Sequence, residues 1–338
     1  MTRFHQQFRL SVLDQTPVFS GQSSADAIAN TLALAQASER LGYRRFWLAE
    51  HHNDRAFASA SPEIMISRIA GLTQHIRVGA GGVLLAHYSP LKIAEQFRLL
   101  EALYPGRIDL GVGRSAGTDS ATTSELAGGR PPRPGHDAVT SLLARLENRG
   151  GDGVQAVPSD IDAPPLWILG TTPNSARFAA RAGLPYAFGA FIDSRRLDEA
   201  LATYHAEFQP SPRCPVPRLL VGVHLLCAET EARAHTLVRP IQWWFARTVV
   251  RGLNVGFPSL DEAEAADYTP GERLLLDYRV EADVIGTPKT CARRLHDMAA
   301  RHRIDEFAVV TITPDFAARV RSYELLAHAM GARACVSA

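Results

Sequence analysis

The chain has 338 residues, of which 36 are Lys or Arg and 35 are Asp or Glu, so its formal net charge is +1. A charge so evenly balanced provides no single-sign field that could recruit nucleic acid or an anionic membrane. The composition, with 46% hydrophobic and 21% charged residues, is that of a folded globular protein and excludes intrinsic disorder.

The pattern along the chain alternates short apolar runs with segments of helical period, which is typical of βαβ units and a parallel sheet. Strands are predicted at 8–13, 45–49, 77–85, 107–113, 166–169, 186–190, 218–227 and 306–311. Helices are predicted at 25–41, 62–72, 90–103, 137–148, 174–182, 195–208, 288–301 and 315–330. Since no linker or composition shift divides the chain, we predict one α/β domain over 1–338, a single (β/α)8 TIM barrel.

Two segments interrupt this alternation. Residues 115–164 contain a cluster of Gly and Pro residues and one weak helix, which predicts a long loop after strand 4. Residues 229–283 are predicted to form a mostly helical insertion after strand 7. The insertion includes Trp243, Trp244 and Phe245, which we interpret as core or pocket wall in preference to a specific recognition site.

No targeting or membrane signal stands out. The first residues, MTRFHQQFRL, lack the apolar run of a signal peptide, and no segment approaches the roughly 18 apolar residues of a membrane span. The four cysteines, Cys214, Cys227, Cys291 and Cys335, form no CxxC pair. We therefore expect a cytoplasmic protein without disulfides.

Candidate functional residues are those that follow each predicted strand, because a TIM barrel carries its active site at the C-terminal ends of the strands. His51 and His52 follow strand 2, and since neighbouring strand residues point to opposite faces, one of them should face the barrel mouth. A histidine there suits proton transfer or ligand binding, and a structural pair is the alternative. The spacing needed for a metal site is missing, so no metal is predicted.

A phosphate site is predicted where strands 4 and 5 end. Arg114 could clamp a phosphate, although an ordinary surface arginine is the alternative. Thr172, Asn174 and Ser175 fall where a helix begins, so hydroxyl groups and free N–H groups could converge on an anion there. Ordinary N-capping explains the same three residues equally well.

Two glycine motifs lie near these positions. Gly81 and Gly82 lack Cβ atoms and would allow a flat ligand to approach closely, or could simply make the backbone flexible. Gly111 and Gly113 imitate a dinucleotide-binding fingerprint poorly, because the required helix does not directly follow them.

The chain resembles the bacterial luciferase-like flavin monooxygenase family through several motifs that occur in the right order. The resemblance spans nearly the whole chain, from the first strand to the helix after Gly286-Thr287-Pro288. Its motifs are 47–53 (WLAEHHN), 81–83 (GGV), 90–97, 103–111 (LYPGRIDLG), 113–114, 169–170 and 175–176.

The resemblance implies a TIM barrel that uses reduced FMN as a diffusible cosubstrate, supplied by a separate NAD(P)H:flavin reductase. Reduced FMN and O2 would form a C4a-hydroperoxyflavin that hydroxylates or epoxidises a small organic substrate. The Ala- and Arg-rich composition suggests a secondary metabolite such as a polyketide, as in antibiotic biosynthesis. A homodimer that packs helices two and three together is also implied, although Ala70 and Ile93 on those helices would serve equally well as core residues.

The same resemblance implies roles for individual residues. His51 matches the histidine near the reactive edge of the flavin, and Gly81-Gly82 matches a non-prolyl cis peptide beneath its ring. Arg114, Thr172 and Ser175 match the FMN phosphate ligands. The complete predicted cofactor-binding set is Gly81, Gly82, Gly113, Arg114, Gly170, Thr171, Thr172, Asn174 and Ser175.

This sequence departs from the family pattern at two places. Gly113 stands where light-emitting luciferase has a reactive cysteine, and His87-Tyr88 replaces an Asn-His pair. Two other functions remain open: a deazaflavin-dependent oxidoreductase and a flavin-binding protein without catalysis. The choice among hydroxylation, epoxidation and Baeyer–Villiger oxidation is also open.

Overall fold

The computed structural model describes residues 8–114, 116–128, 135–148 and 153–332. Eight parallel strands close into a barrel in the order β1-β2-β3-β4-β5-β6-β7-β9, with β9 pairing back to β1. The strands are β1 Arg9–Asp14, β2 Arg45–Leu48, β3 Arg77–Leu84, β4 Ile108–Gly113, β5 Leu166–Gly170, β6 Tyr186–Gly189, β7 Leu219–Cys227, β8 Val284–Gly286 and β9 Glu306–Val310. The predicted (β/α)8 TIM barrel is therefore confirmed.

The helices surround this barrel, and five of them begin with a proline, which is preorganised for the first helical turn. They are α1 Ser24–Arg40, α2 Pro62–Leu72, α3 Pro90–Leu103, α4 Ser120–Leu126, α5 Gly135–Leu146, α6 Pro173–Arg181, α7 Leu197–Glu207, α8 Glu231–Leu237, α9 Arg239–Phe245, α10 Leu260–Glu264, α11 Pro270–Ala282, α12 Pro288–His302 and α13 Phe316–Met330. A 3-10 turn at Leu85–His87 and a π-helical turn at Ala246–Val250 complete the elements.

The structure adds two elements to those predicted. Helix α4 lies in the long segment after β4, where Ser and Thr residues with low helix propensity hide it, although Asp119 caps its first turn. Strand β8 pairs only with β7 and has three residues, too few for a periodic signal. The segment after β7 is helical as predicted, with α8 to α11 in it.

Buried charged side chains fill the interior of the barrel at its N-terminal end. Arg45 pairs with Asp109 and Glu306, with N to O distances of 2.5 Å in both cases. Above this layer, Trp47 donates its indole N–H to Asp109 at 3.1 Å and packs edge-on against Trp167, with ring centroids 5.3 Å apart. Each of these buried charges has a partner, so none is left uncompensated, and the layer fills this end of the barrel interior.

The described residues include all the helices named above and three of the four cysteines. None of the helices in these ranges has the length and apolar character needed to cross a bilayer. Cys214, Cys227 and Cys291 are buried free thiols. Cys335 lies outside the described residues.

Candidate active site

A cavity of about 550 Å³ opens at the C-terminal end of the barrel, and all eight barrel strands or the segments that follow them contribute to its lining. Its size is in the range of small-molecule and cofactor sites. Nine of the ten predicted site residues line it: His51, Gly81, Gly82, Gly113, Arg114, Gly170, Thr171, Thr172 and Ser175. The structure thus brings these nine together, while their contacts with a ligand stay a prediction.

Gly81 and Gly82 form a side-chain-free patch of the wall. The peptide bond between them is cis, as the family resemblance implies, and the pairing of β3 with β4 shifts register here. A Cβ on Gly81 would lie 2.8 Å from Leu13 Cδ1, and one on Gly82 would lie 2.7 Å from the carbonyl oxygen of Gly111. A side chain at Gly82 would meet fixed backbone, and one at Gly81 would require Leu13 to move, so bare backbone lines the cavity here and leaves room for a flat group.

His51 is the histidine that faces this cavity. Its ring stacks on Phe57 with centroids 4.1 Å apart, and its backbone N–H donates to the carbonyl of Ser59 at 3.0 Å. Its buried Nδ1 has no hydrogen-bond partner among the described residues. Burial, and to a smaller extent the neighbouring His52, lowers the pKa of His51 to about 4. The imidazole is therefore neutral at physiological pH and can accept or donate a single proton.

His52 does not line the cavity, so one histidine of the pair faces it as predicted, although β2 ends at Leu48 and the strand alternation does not extend to these residues. Its Nε2 lies 2.6 Å from Glu50 Oε1, and the same oxygen accepts a hydrogen bond from the Tyr88 hydroxyl at 2.6 Å. The other oxygen of Glu50 accepts from the backbone N–H of Leu84 at 2.9 Å. Glu50 therefore ties the end of β2 to β3, and burial together with this carboxylate raises the pKa of Tyr88 well above its ordinary value. Sequence reasoning did not assign a role to Glu50 or Tyr88.

Arg114 follows β4 at the cavity and lies against Phe178 of α6. Its guanidinium carbon lies 5.3 Å from the ring centroid of Phe178, and its Nη1 lies 2.8 Å from His136 Nε2. Its Nε is buried without a hydrogen-bond partner in the described part of the chain. Burial lowers the pKa of Arg114 from its ordinary value. A half-buried cation with a free N–H group is suited to bind an anionic group. Nothing in the local sequence pointed to His136 or Phe178.

Thr172 and Ser175 form the N-terminal cap of α6. Thr172 Oγ1 accepts from the backbone N–H of Ser175 at 3.3 Å, and Ser175 Oγ accepts from that of Thr172 at 3.2 Å. Ser175 Oγ also lies 2.9 Å from the hydroxyl of Tyr186, a contact that the sequence did not suggest. Asn174 is exposed, and its Oδ1 accepts from Arg177 at 3.2 Å. The capping interpretation therefore describes this turn without a ligand, and Asn174 lies outside the cavity lining.

Comparison with known proteins identifies the family. The family model for luciferase-like monooxygenases matches residues 8–305. An N-acetyl-S-alkylcysteine monooxygenase of Bacillus subtilis is 32% identical over 332 residues, which cover 95% of this chain and 98% of that protein. The crystal structure of apo-MsnO8 has 39% sequence identity and a TM-score of 0.89, covering 97% of this chain and 99% of that one.

A more distant structure shares the fold alone. The oxygenating constituent of 3,6-diketocamphane monooxygenase from Pseudomonas putida, a type II Baeyer–Villiger monooxygenase in complex with FMN, has a TM-score of 0.71 at 19% identity. It covers 96% of this chain and 98% of that one. The family model and the Bacillus subtilis relative place the chain in the luciferase-like monooxygenase family, a family of flavin-dependent monooxygenases.

Proposed function

We propose that this protein is the oxygenating component of a two-component, FMN-dependent monooxygenase in the cytoplasm. A separate NAD(P)H:flavin reductase would supply reduced FMN, and one oxygen atom of O2 would enter a small organic substrate while the other leaves as water. The observation that carries this proposal is a single cavity that combines side-chain-free glycines, a histidine with a buried, unpartnered Nδ1 and an arginine with a free N–H group.

The cavity offers separate positions for the two ends of FMN. Arg114 supplies a positive charge for the phosphate, and the hydroxyl groups of Thr172 and Ser175 lie on the same cavity wall. To contact a phosphate, Ser175 Oγ would have to give up its bond to the carbonyl of Thr172, which is 2.6 Å long without a ligand. The bare backbone of Gly81 and Gly82 would accept the flat ring system.

Reduced FMN, when bound, supplies the electrons that activate O2. The part of the protein is to place one exchangeable proton beside this chemistry and to exclude water. His51 is neutral because burial lowers its pKa to about 4, so it can take up or release a proton without first losing a resident charge. Apolar side chains, including Leu13, Leu220 and Phe191, line much of the rest of the cavity and limit access of water.

The remaining lining residues indicate the polarity of the substrate. The lining residues beyond the predicted flavin contacts include Phe188, Phe191 and Ile192, which favour a mostly apolar molecule. We propose hydroxylation or epoxidation of such a molecule, with a secondary metabolite such as a polyketide as one class. The relative named for action on N-acetyl-S-alkylcysteines makes thioethers a second class to include in a substrate screen.

A homodimer through α2 and α3 is part of the proposal. Ile64 on α2 and Leu99 and Leu103 on α3 are 67%, 54% and 56% exposed, although all three are large and apolar. Ala70 and Ile93 on the same helices are buried within the chain and are not available to a partner. Measuring the native mass tests the proposed homodimer, and a monomeric mass would contradict it.

The first test is to load the protein anaerobically with reduced FMN, mix it rapidly with oxygenated buffer and record flavin absorbance. We expect a lasting spectrum that differs from both reduced and oxidised FMN and that decays faster with a true substrate. Immediate return to oxidised FMN with one peroxide per flavin, for every candidate substrate, would contradict the proposal and favour a flavin-binding protein. Anaerobic turnover with a reduced deazaflavin would instead favour the deazaflavin-dependent oxidoreductase.

A further inference from the structure

We propose that Phe57 and Asn254 are positioning residues for His51, through which the helical insertion between β7 and β9 holds the imidazole at the cavity. This inference rests on the proposed function, since it concerns how the proposed proton-transfer group is oriented. It assigns a role to part of the insertion, which contributes none of the residues that line the cavity.

The first line of evidence is an aromatic chain that runs from His51 into the insertion. The His51 and Phe57 rings are nearly parallel, with an angle of 21° between their planes. Phe57 then meets the edges of Trp244 and Phe257, with ring centroids 5.8 Å and 5.5 Å away. Trp244 and Phe257 also pack on each other at 4.7 Å, so Phe57 is held between His51 and two rings of the insertion.

The second line of evidence is a pair of hydrogen bonds from one side chain of the insertion. Asn254 Nδ2 donates to the carbonyl of Asn53 at 2.7 Å, and Asn254 Oδ1 accepts from the backbone N–H of Arg55 at 3.0 Å. Both contacts fall on the loop that joins His51 to Phe57. Asn254 thus fixes the backbone between the two stacked rings, independently of the aromatic contacts.

These contacts matter because His51 lacks the usual means of fixing an imidazole. A functional histidine is commonly oriented by a hydrogen bond to its second ring nitrogen, which also sets the tautomer. The buried Nδ1 of His51 has no such partner among the described residues. Stacking on Phe57 therefore sets the plane of the ring, while the tautomer is left to the ligand that binds.

The alternative is that these rings are ordinary core, so the test needs a variant that damages the same cluster without touching His51. Phe19 provides it, because its ring packs on Phe257 at 5.3 Å and its side chain is buried. Phe19→Leu and Phe57→Leu each remove one ring from the cluster, and only Phe57→Leu removes the stacking partner of His51. Phe57→Tyr restores an aromatic ring at the same place.

The experiment compares Phe57→Leu, Phe57→Tyr, Asn254→Ala and Phe19→Leu with the wild type in two measurements. The first is the ¹⁵N NMR titration of the His51 ring in the flavin-free protein. We expect its pKa to rise from about 4 toward its ordinary value in Phe57→Leu and Asn254→Ala and to stay low in the other two variants. The second is turnover with reduced FMN, where we expect kcat to fall by about tenfold or more in the first two, with flavin affinity kept within about twofold.

Two results would overturn the inference. One is a Phe57→Leu protein that folds and has the same His51 titration and the same kcat as Phe19→Leu. The other is a Phe57→Tyr protein as impaired as Phe57→Leu, which would show that the aromatic ring is not what matters. Since the NMR measurement needs no flavin, it decides the positioning role even if the wild type never oxygenates a substrate, and that failure would count against the proposed function alone.

Discussion

Lowering the pH from 7.5 to 5 should destabilise this protein through His51 by about 2 kcal/mol. The pKa of His51 is about 4 in the folded protein, and an unperturbed histidine has a pKa of 6.5. The unfolded chain therefore binds a proton between these two values and the folded protein does not. Stability from the neutral ring is fully present above pH 6.5 and is lost progressively as the pH falls toward 4. With these two pKa values, the linkage relation gives about 2 kcal/mol at pH 5 and almost nothing at pH 7.5.

The assay is urea unfolding of the wild type and of His51→Asn at both pH values, so that all other titrating groups cancel in the comparison. We expect the wild type to lose about 2 kcal/mol more than the variant between pH 7.5 and pH 5. The same argument predicts that kcat/KM shows no ionisation from His51 between pH 5 and pH 8. Identical pH dependence of unfolding in the two proteins, or a His51 titration near 6.5 by NMR, would refute the reasoning.

Three further predictions concern the walls of the cavity. Arg114→Ala should weaken binding of reduced FMN by about tenfold to a hundredfold with kcat nearly kept at saturation, and an equal loss of kcat would show that Arg114 does more than bind. Gly82→Ala should lower the thermal midpoint because its Cβ meets the carbonyl oxygen of Gly111 at 2.7 Å, whereas Gly113→Ala should not, because its Cβ has no atom nearer than 3.6 Å. A thermal scan that ranks these two glycine variants in the opposite order contradicts this packing. Tyr88→Phe should lower the free energy of unfolding by about 1–3 kcal/mol, because it removes a hydrogen-bond donor from the buried Glu50 carboxylate. Urea titration measures this difference, and an unchanged free energy of unfolding would mean that water replaces the hydroxyl group.

The fold could be predicted from the sequence because its signals are local. The apolar runs that form β1 to β7 and β9 are each several residues long and are separated by helices of regular period. Proline at the start of α2 and α3 fixes their first residues at Pro62 and Pro90 without any tertiary information. By contrast, β8 has three residues and takes its conformation from pairing with β7, so no local pattern reveals it.

The candidate site was predictable only in part, because some of its contacts join residues that are far apart in the sequence. His51, Arg114 and Thr172 line one cavity, as their positions after strands of a parallel barrel predict, while their contacts with a ligand remain a prediction. Asn174 also comes just after a barrel strand in the sequence. Its side chain is nevertheless exposed, and the next residue, Ser175, is the one that completes the helix cap. No local pattern could predict a role for Asn254, which is about two hundred residues from His51 in the chain. Its hydrogen bond to the carbonyl of Asn53 forms only when the insertion packs on the loop that joins His51 to Phe57.

The two segments that interrupt the barrel pattern contact different parts of the candidate site. The segment after β4 supplies His136, which lies against Arg114 on the predicted phosphate side. The insertion after β7 supplies Trp244 and Asn254, which buttress the loop of His51 on the predicted proton-transfer side. Since the two segments contact different residues around one closed sheet, we expect a change in one of them to affect either Arg114 or His51 separately. We therefore expect that exchanging the insertion alone changes the pKa of His51 and leaves the affinity for reduced FMN unchanged.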